Sequence, residues 1–199
     1  MRISELSRQT GVSTASIKLF IREGLIPPGD ERTPRSAVYT DVHAERVEVI
    51  RNLRDIAAVP FATIKRLLAA VDSDLPLPAL LGLAHAAVVQ PVQFSEQDAE
   101  LAEALFAQLG WRMPRPHPSF GHIAVALGQM RAGEHGTDAA TLAPWIDAAT
   151  SVSDVEVSSA RIESRLLLVH DVVVGTHLAN ELLVHLHMAA QVNRALGGD

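Results

Sequence analysis

Apolar residues recur at three- and four-residue spacing along almost all of this chain, while period-two alternation is rare. Such a pattern puts one apolar stripe on each of a series of α-helices and leaves little for a sheet to bury. Proline and glycine then mark where helices must stop. The run "VDSDLPLP", Val71 to Pro78, holds two prolines and two aspartates and is the best domain boundary. A second break is "GWRMPRPHPSFG", Gly110 to Gly121, with three prolines. No internal repeat and no low-complexity segment is found. The 199 residues, 48% of them hydrophobic, suffice for a small domain followed by a larger one.

The first 71 residues divide cleanly. Ser4 is a plausible N-cap for a short helix ending at Gln9. "TGV" is a tight turn in which Gly11 can take a positive φ. Ser13 can cap the next helix, which runs to Glu23 and ends at Gly24; Pro27 and Pro28 prevent its resumption. Two helices joined by a short glycine turn make a helix-turn-helix. "PGDERTPRSAVYT" is an extended excursion with Arg32 and Arg35 near its tip. "DVHAERVEVIRNLRDIA", with Asp41 as the expected cap, places Val42, Val47, Ile50, Leu53 and Ile56 at helical spacing. "PFATIKRLLAAV" gives another helix, opened by Pro60. The expected fold is therefore all-α with a small β wing: a winged helix-turn-helix domain over 1–71, then an all-helical domain over 72–199 with middle helices near 78–89, 95–109, 119–133 and 139–149.

Charge follows the same division. Residues 1–71 hold 11 basic and 8 acidic residues, an excess of +3; residues 72–199 hold 6 and 15, an excess of −9. A basic head on an acidic body points to the head as the part that approaches a polyanion. There is no cysteine, which excludes disulfides, thiolate metal sites and thiol redox sensing. No signal segment is expected, and the longest apolar runs are broken by His, Asp, Asn and Glu, so neither membrane insertion nor any location but the cytoplasm is expected.

In the helix from Ser13 to Glu23, Ile17, Phe20 and Ile21 share one stripe. Thr14, Ser16, Lys18 and Arg22 fall off it. A helix docked in the major groove needs this division: the apolar face anchors it, and short polar or basic side chains reach base edges and phosphates. An ordinary surface helix with a solvated basic face has the same pattern. The whole stretch "RISELSRQTGVSTASIKLFIREGLIPP" resembles the N-terminal signature of MerR-type transcriptional regulators, in its Ile-x-Glu-Leu opening, Thr-Gly-Val turn and Gly-Leu-x-Pro-Pro exit. The winged segment ending at Tyr39 and the downstream "VEVIRNLRDIAAVPFATIKRLL" are similar too. The resemblance spans the first 70 or so residues and says nothing about the rest.

That resemblance implies double-stranded operator DNA as partner. It places Ser13, Ser16 and Lys18 where family members touch DNA and Tyr39 at the wing's closing tyrosine, which meets the phosphate backbone. Thr14, Arg22, Arg32 and Arg35 complete the expected contact set. Two positions depart from the family. Leu19-Phe20 stands where Tyr-Tyr is usual, and Ala37 stands where the wing usually has an arginine. Arg35 or Arg32 can supply that charge. One such head makes few contacts, so a homodimer on a two-fold operator is expected.

The region after the boundary, "PALLGLAHAAVVQPV", lacks the sustained heptad of a coiled coil. A better dimerisation candidate is the C-terminus. There Ser153 and Glu156 resemble a capping box, and Ile162, Leu166 and Val169 begin a stripe. After a break at Gly175 come Leu178, Leu182 and Leu186. Two such helices doubled by a two-fold axis make a four-helix bundle. In pattern this half resembles the ligand-binding halves of TetR-type regulators. Phe94, Phe106, Trp111, Phe120, Met130 and Trp145 are the candidates for lining a pocket for a small apolar effector; filling the core is the other role open to them.

Eight of the nine histidines lie beyond residue 84. His177, Glu181 and His185 share a helix face, but the two imidazoles are about 12 Å apart along the axis, too far for one ion. No metal and no cofactor is expected. "GQMRAGEHG" does not fit a phosphate loop, and no Ser/His/Asp set has supporting context, so no enzyme is expected. The function expected is a dimeric, one-component, ligand-responsive DNA-binding regulator. The alternative is a module that does not bind DNA and sequesters a hydrophobic compound.

Overall fold

The structure, a computed structural model, describes residues 1–31 and 37–197. Among them are nine helices and one two-stranded ladder: α1 (Ile3–Thr10), α2 (Thr14–Arg22), β1 (Asp30–Glu31), β2 (Ala37–Val38), α3 (Asp41–Asp55), α4 (Phe61–Val71), α5 (Leu77–Val88), α6 (Glu96–Leu109), α7 (Pro118–Ala132), α8 (Ala139–Ser159) and α9 (Arg165–Ala195). The fold is all-helical apart from this small wing, in which β1 and β2 pair antiparallel, Asp30 opposite Val38. The chain forms two compact units, Met1–Ala84 together with the chain from Arg161 onward, and His85–Ala160. Contacts thus divide the chain differently from the proline break at Val71–Pro78, because α9 packs on α3 and α4.

Local chemistry explains the first unit's elements. Gly11 turns α1 off at φ 69°, and the Ser13 hydroxyl accepts the Ser16 amide at 3.1 Å to start α2. At the other end Leu25 N–H bonds to Phe20 O (2.8 Å) and Gly24 N–H to Ile21 O (3.0 Å), with Gly24 at φ 72°. This pair of bonds is a Schellman stop, which needs the left-handed residue that glycine supplies. The cap of α3 is Thr40, one residue before the expected Asp41. Leu6, Ile17, Phe20, Leu25, Ile26, Val47, Ile50, Leu53, Ile64, Leu67 and Leu68 are buried in one core.

Two arginines hold this unit's helices in place. Arg46, nearly buried, donates to Leu25 O and makes a bidentate pair with Asp72 at 2.8 and 2.6 Å. Arg165, at the start of α9, donates to the carbonyls of Val71, Ala70 and Leu75 at 3.1, 3.1 and 2.9 Å. It satisfies Val71 O, a terminal carbonyl of α4, and ties α9 to the end of that helix.

Several C-terminal expectations are corrected. Gly175 does not end a helix: α9 runs through it as one rod of 31 residues, since one interior glycine costs only about 1 kcal/mol and no proline follows. Ser153 and Glu156 cap nothing; both lie inside α8. Ile162 lies outside the helices, in the turn before α9, and is exposed. By length and composition alone α9 could cross a membrane. Its first turns instead bury Leu166, Leu168, Val169, Val173 and Val174.

In the second unit, α6 and α7 pack through Ala99, Ala102, Leu105, Phe106, Phe120, Ala124 and Leu127, joined by Leu142 of α8. The approach is close: a Cβ on Gly128 would sit 2.0 Å from Asp98 Oδ1, so a larger residue there would displace the Asp98 carboxylate.

An ion pair in the first unit gives a pH prediction. Arg161 binds both carboxylate oxygens of Asp171, and that bond, with a lesser one from His170, holds the Asp171 carboxyl well below the usual carboxylate range. A depressed folded-state value stabilises the fold above the ordinary aspartate pKa, and the gain is lost as pH falls through and below it. Asp171→Asn should therefore lower the urea midpoint at pH 7 and flatten its fall below about pH 4.

Candidate nucleic-acid interface

The faces of α2 separate as its sequence requires. Ile17 and Phe20 are buried, and Phe20 lies against Phe61 with ring centroids 6.3 Å apart. Ser13, Thr14, Lys18 and Arg22 are exposed, and Ser16 is half-buried. Among the described residues Lys18 makes no hydrogen bond or ion pair. The Ser13 and Ser16 hydroxyls bond to each other at 2.9 Å, and one proton can rotate outward from that pair. Arg22 is held loosely, 3.8 Å from Glu23, while Glu23 is held by Lys65 of α4 at 3.3 Å. Leu19, in place of a tyrosine, is more than one third exposed and gives this face a methyl-rich spot.

Tyr39 behaves differently from the other expected contacts. It is only 7% exposed, its ring edge-on to His43 at 5.4 Å. Its backbone is clamped to the chain's start: Met1 N donates to Tyr39 O at 2.6 Å and Tyr39 N–H to Met1 O at 2.8 Å. The residue therefore anchors the base of the wing. Arg32 and Arg35 lie outside the described residues.

Sequence reasoning passed over three supports of this face. A Cβ on Gly29 would meet Val38 O at 2.9 Å and the Tyr39 ring at 3.1 Å, so only glycine lets the wing close there. Arg51 of α3 donates to Thr10 O at 2.6 Å and steadies the turn between α1 and α2. Arg46 holds the chain just after α2 through Leu25 O. No local signal in the sequence marks a long side chain whose partner lies far along the chain.

The first unit also holds a cavity of about 320 Å³ beside α3, lined by Gln9, Asp41, Glu45, Glu48 and Arg161 among others. Its carboxylates would repel phosphate, so it is not part of a DNA face. The six residues expected around an apolar effector have different surroundings. Phe106 and Phe120 fill the second unit's core, 5.9 Å apart. Met130 packs at its edge, and Trp111 and Trp145 are exposed. Phe94 alone of the six lines the depression of about 500 Å³ between Ser95 and α7.

Among the C-terminal residues expected at a dimer interface, Leu166 and Val169 are buried in the protomer's own core. Leu178, Leu182 and Leu186 are 51%, 60% and 55% exposed. Among the described residues no group of three or more His, Asp or Glu side chains is placed to hold a metal ion.

Comparison with known proteins bears on the same segment. Residues 1–71 match the model of the MerR HTH family of regulatory proteins. Among solved structures the chain is similar to SCO5550 of Streptomyces coelicolor A3(2), described as a transcriptional regulator, at 27% identity and a TM-score of 0.76, over 100% of this chain and 99% of that one. No curated protein matches.

Proposed function

We propose that this chain, with a MerR-type helix-turn-helix at its head, is a transcriptional regulator that binds operator DNA through α2 as a homodimer. The observation that carries the reading is the outward face of α2, where Lys18, unpaired among the described residues, stands exposed with Ser13, Thr14 and Arg22 over a buried apolar seam. Lys18 neutralises a phosphate and releases its counterions; the serine and threonine hydroxyls reach base edges or sugar-phosphate oxygens. Tyr39 acts from beneath, fixing the wing's base.

Pairing is assigned to the free half of α9. From Gly175 onward it exposes Leu178, Leu182, Leu186 and Val192, with Leu196 just past its end, over about 30 Å. A second copy covers that stripe by the same stripe, as a two-fold axis requires. Because α9 is tied to α4 by Arg165, the pairing helix also fixes where each recognition helix points. A sensory role for the second unit rests on topology: residues 85–160, from the last turn of α5 to the end of α8, form a compact body inserted in the sequence between the two parts of the first unit.

A gel shift on the protein's own promoter region, run against salt, tests the reading. Binding should weaken as salt rises, and Lys18→Ala, which removes one phosphate contact from each protomer of the dimer, should reduce the slope of log affinity against log salt by about 2 while weakening binding to all sequences alike. Salt-independent binding, together with unchanged affinity in Lys18→Ala, would refute it.

A further inference from the structure

His85 is the one ionisable side chain of α5. Its half-buried ring meets that of His117 edge-on, with centroids 5.1 Å apart and His85 Nδ1 lying 3.1 Å from His117 Nε2. The other nitrogen of His117, Nδ1, accepts the Ser119 amide at 3.2 Å and so caps α7. That bond fixes every proton in the row. A backbone N–H can only donate, so His117 Nδ1 carries no proton. The neutral ring's proton then sits on Nε2 and is donated to His85 Nδ1, which leaves the proton of His85 on its own Nε2. Donors run in one direction, from Ser119 to His117 to His85.

A further proton fits neither acceptor. On His117 Nδ1 it would face the Ser119 N–H and break the cap of α7. On His85 Nδ1 it would face the His117 N–H across 3.1 Å. We propose that the His85–His117 pair is a proton-operated latch, closed when both rings are neutral and joining α5 to the capped first turn of α7, and opened by acidification through the imidazole range. Opening loosens the helix by which the chain passes from the first unit into the second.

The surrounding charges leave the neutral pair undisturbed. The segment before α7 brings Arg112 and Arg115, and α7 brings His122. Arg115 is bound by Glu96 and Glu103 of α6, and His122 is bonded to Gln90 O. Among the described residues no carboxylate pairs with either ring, so none of them compensates an imidazolium there. Burial first, and then the neighbouring His117, lower the pKa of His85; burial lowers that of His117. For a histidine lowered in the folded state, stability is complete above the ordinary imidazole pKa and declines as pH falls below it.

Both tryptophans, Trp111 and Trp145, lie in the second unit, so tryptophan fluorescence of the full chain during urea unfolding reads that unit. The wild type should lose midpoint between pH 7.5 and 5.5. His117→Asn, whose side chain also caps a helix but does not titrate, should lose less than half as much. Imidazole ¹⁵N spectra of the wild type should show both rings as Nε2–H tautomers at pH 7.5, each titrating below about 6.5. An equal acid loss in His117→Asn, an Nδ1–H tautomer on either ring, or titration of either ring at or above the ordinary value would overturn the latch.

Discussion

Leu182→Glu combined with Leu186→Glu should leave a folded monomer that no longer holds a two-fold operator. Both leucines stand more than half exposed on the free half of α9, so glutamate there costs the isolated chain little. Across a pairing helix the same change brings four carboxylates into one apolar seam, where an unpaired charge costs several kcal/mol. Without the partner, the second half-site loses the advantage of being tethered, which is worth about 10² to 10⁴ in affinity. Light scattering reads the mass, circular dichroism the retained helix, and a gel shift the binding. A double variant that stays dimeric and binds as the wild type would remove α9 from the interface. Leu166→Glu is the contrasting case: that residue is buried, and its replacement should unfold the first unit.

Phe120→Ala should open the second unit and leave the DNA-binding head standing. Phe120 is fully buried between Phe94 and Phe106, at centroid distances of 5.5 and 5.9 Å. Truncation at such a site costs about 3–5 kcal/mol, because the cavity collapses only in part. A helical unit of this size has little more than that in total stability. Tryptophan fluorescence should therefore report unfolding at a much lower urea concentration than in the wild type, Trp111 losing its stack on Phe106. Tyr39, the one tyrosine, reports the head, whose transition should move little. Coincident shifts of both signals would mean that the two units unfold as one.

The middle helices show how far periodicity alone reaches. Expected near 95–109 and 119–133, they occur as α6 and α7 within a residue at each end. Their stops are chemical and local: Ser95 with Asp98 at one end, Gly110 at φ 66° at the other. Where a stop was inferred from a single weak breaker, as at Gly175, the helix ran on, since one interior glycine costs it only about 1 kcal/mol. The recognition helix was legible for the same reason as α6, since its cap, its apolar stripe and its glycine exit all lie within a dozen residues. The support beneath it was not. Arg46, Arg51 and Gly29 act through partners or close approaches that only the folded chain brings together.

What the amino-acid order determined by itself is the helices from α1 to α7, the wing among them, and the α2 face that carries Lys18 clear of the core, because caps, turns and stripes depend on neighbours within about one or two helical turns. Tertiary structure alone decided that α9 belongs with the head, that Leu166 and Val169 face inward while Leu178, Leu182 and Leu186 do not, and that His85 meets His117. One apolar stripe looks the same in sequence whether its own domain or a second chain covers it; the difference lies in contacts between residues some 30 to 120 positions apart.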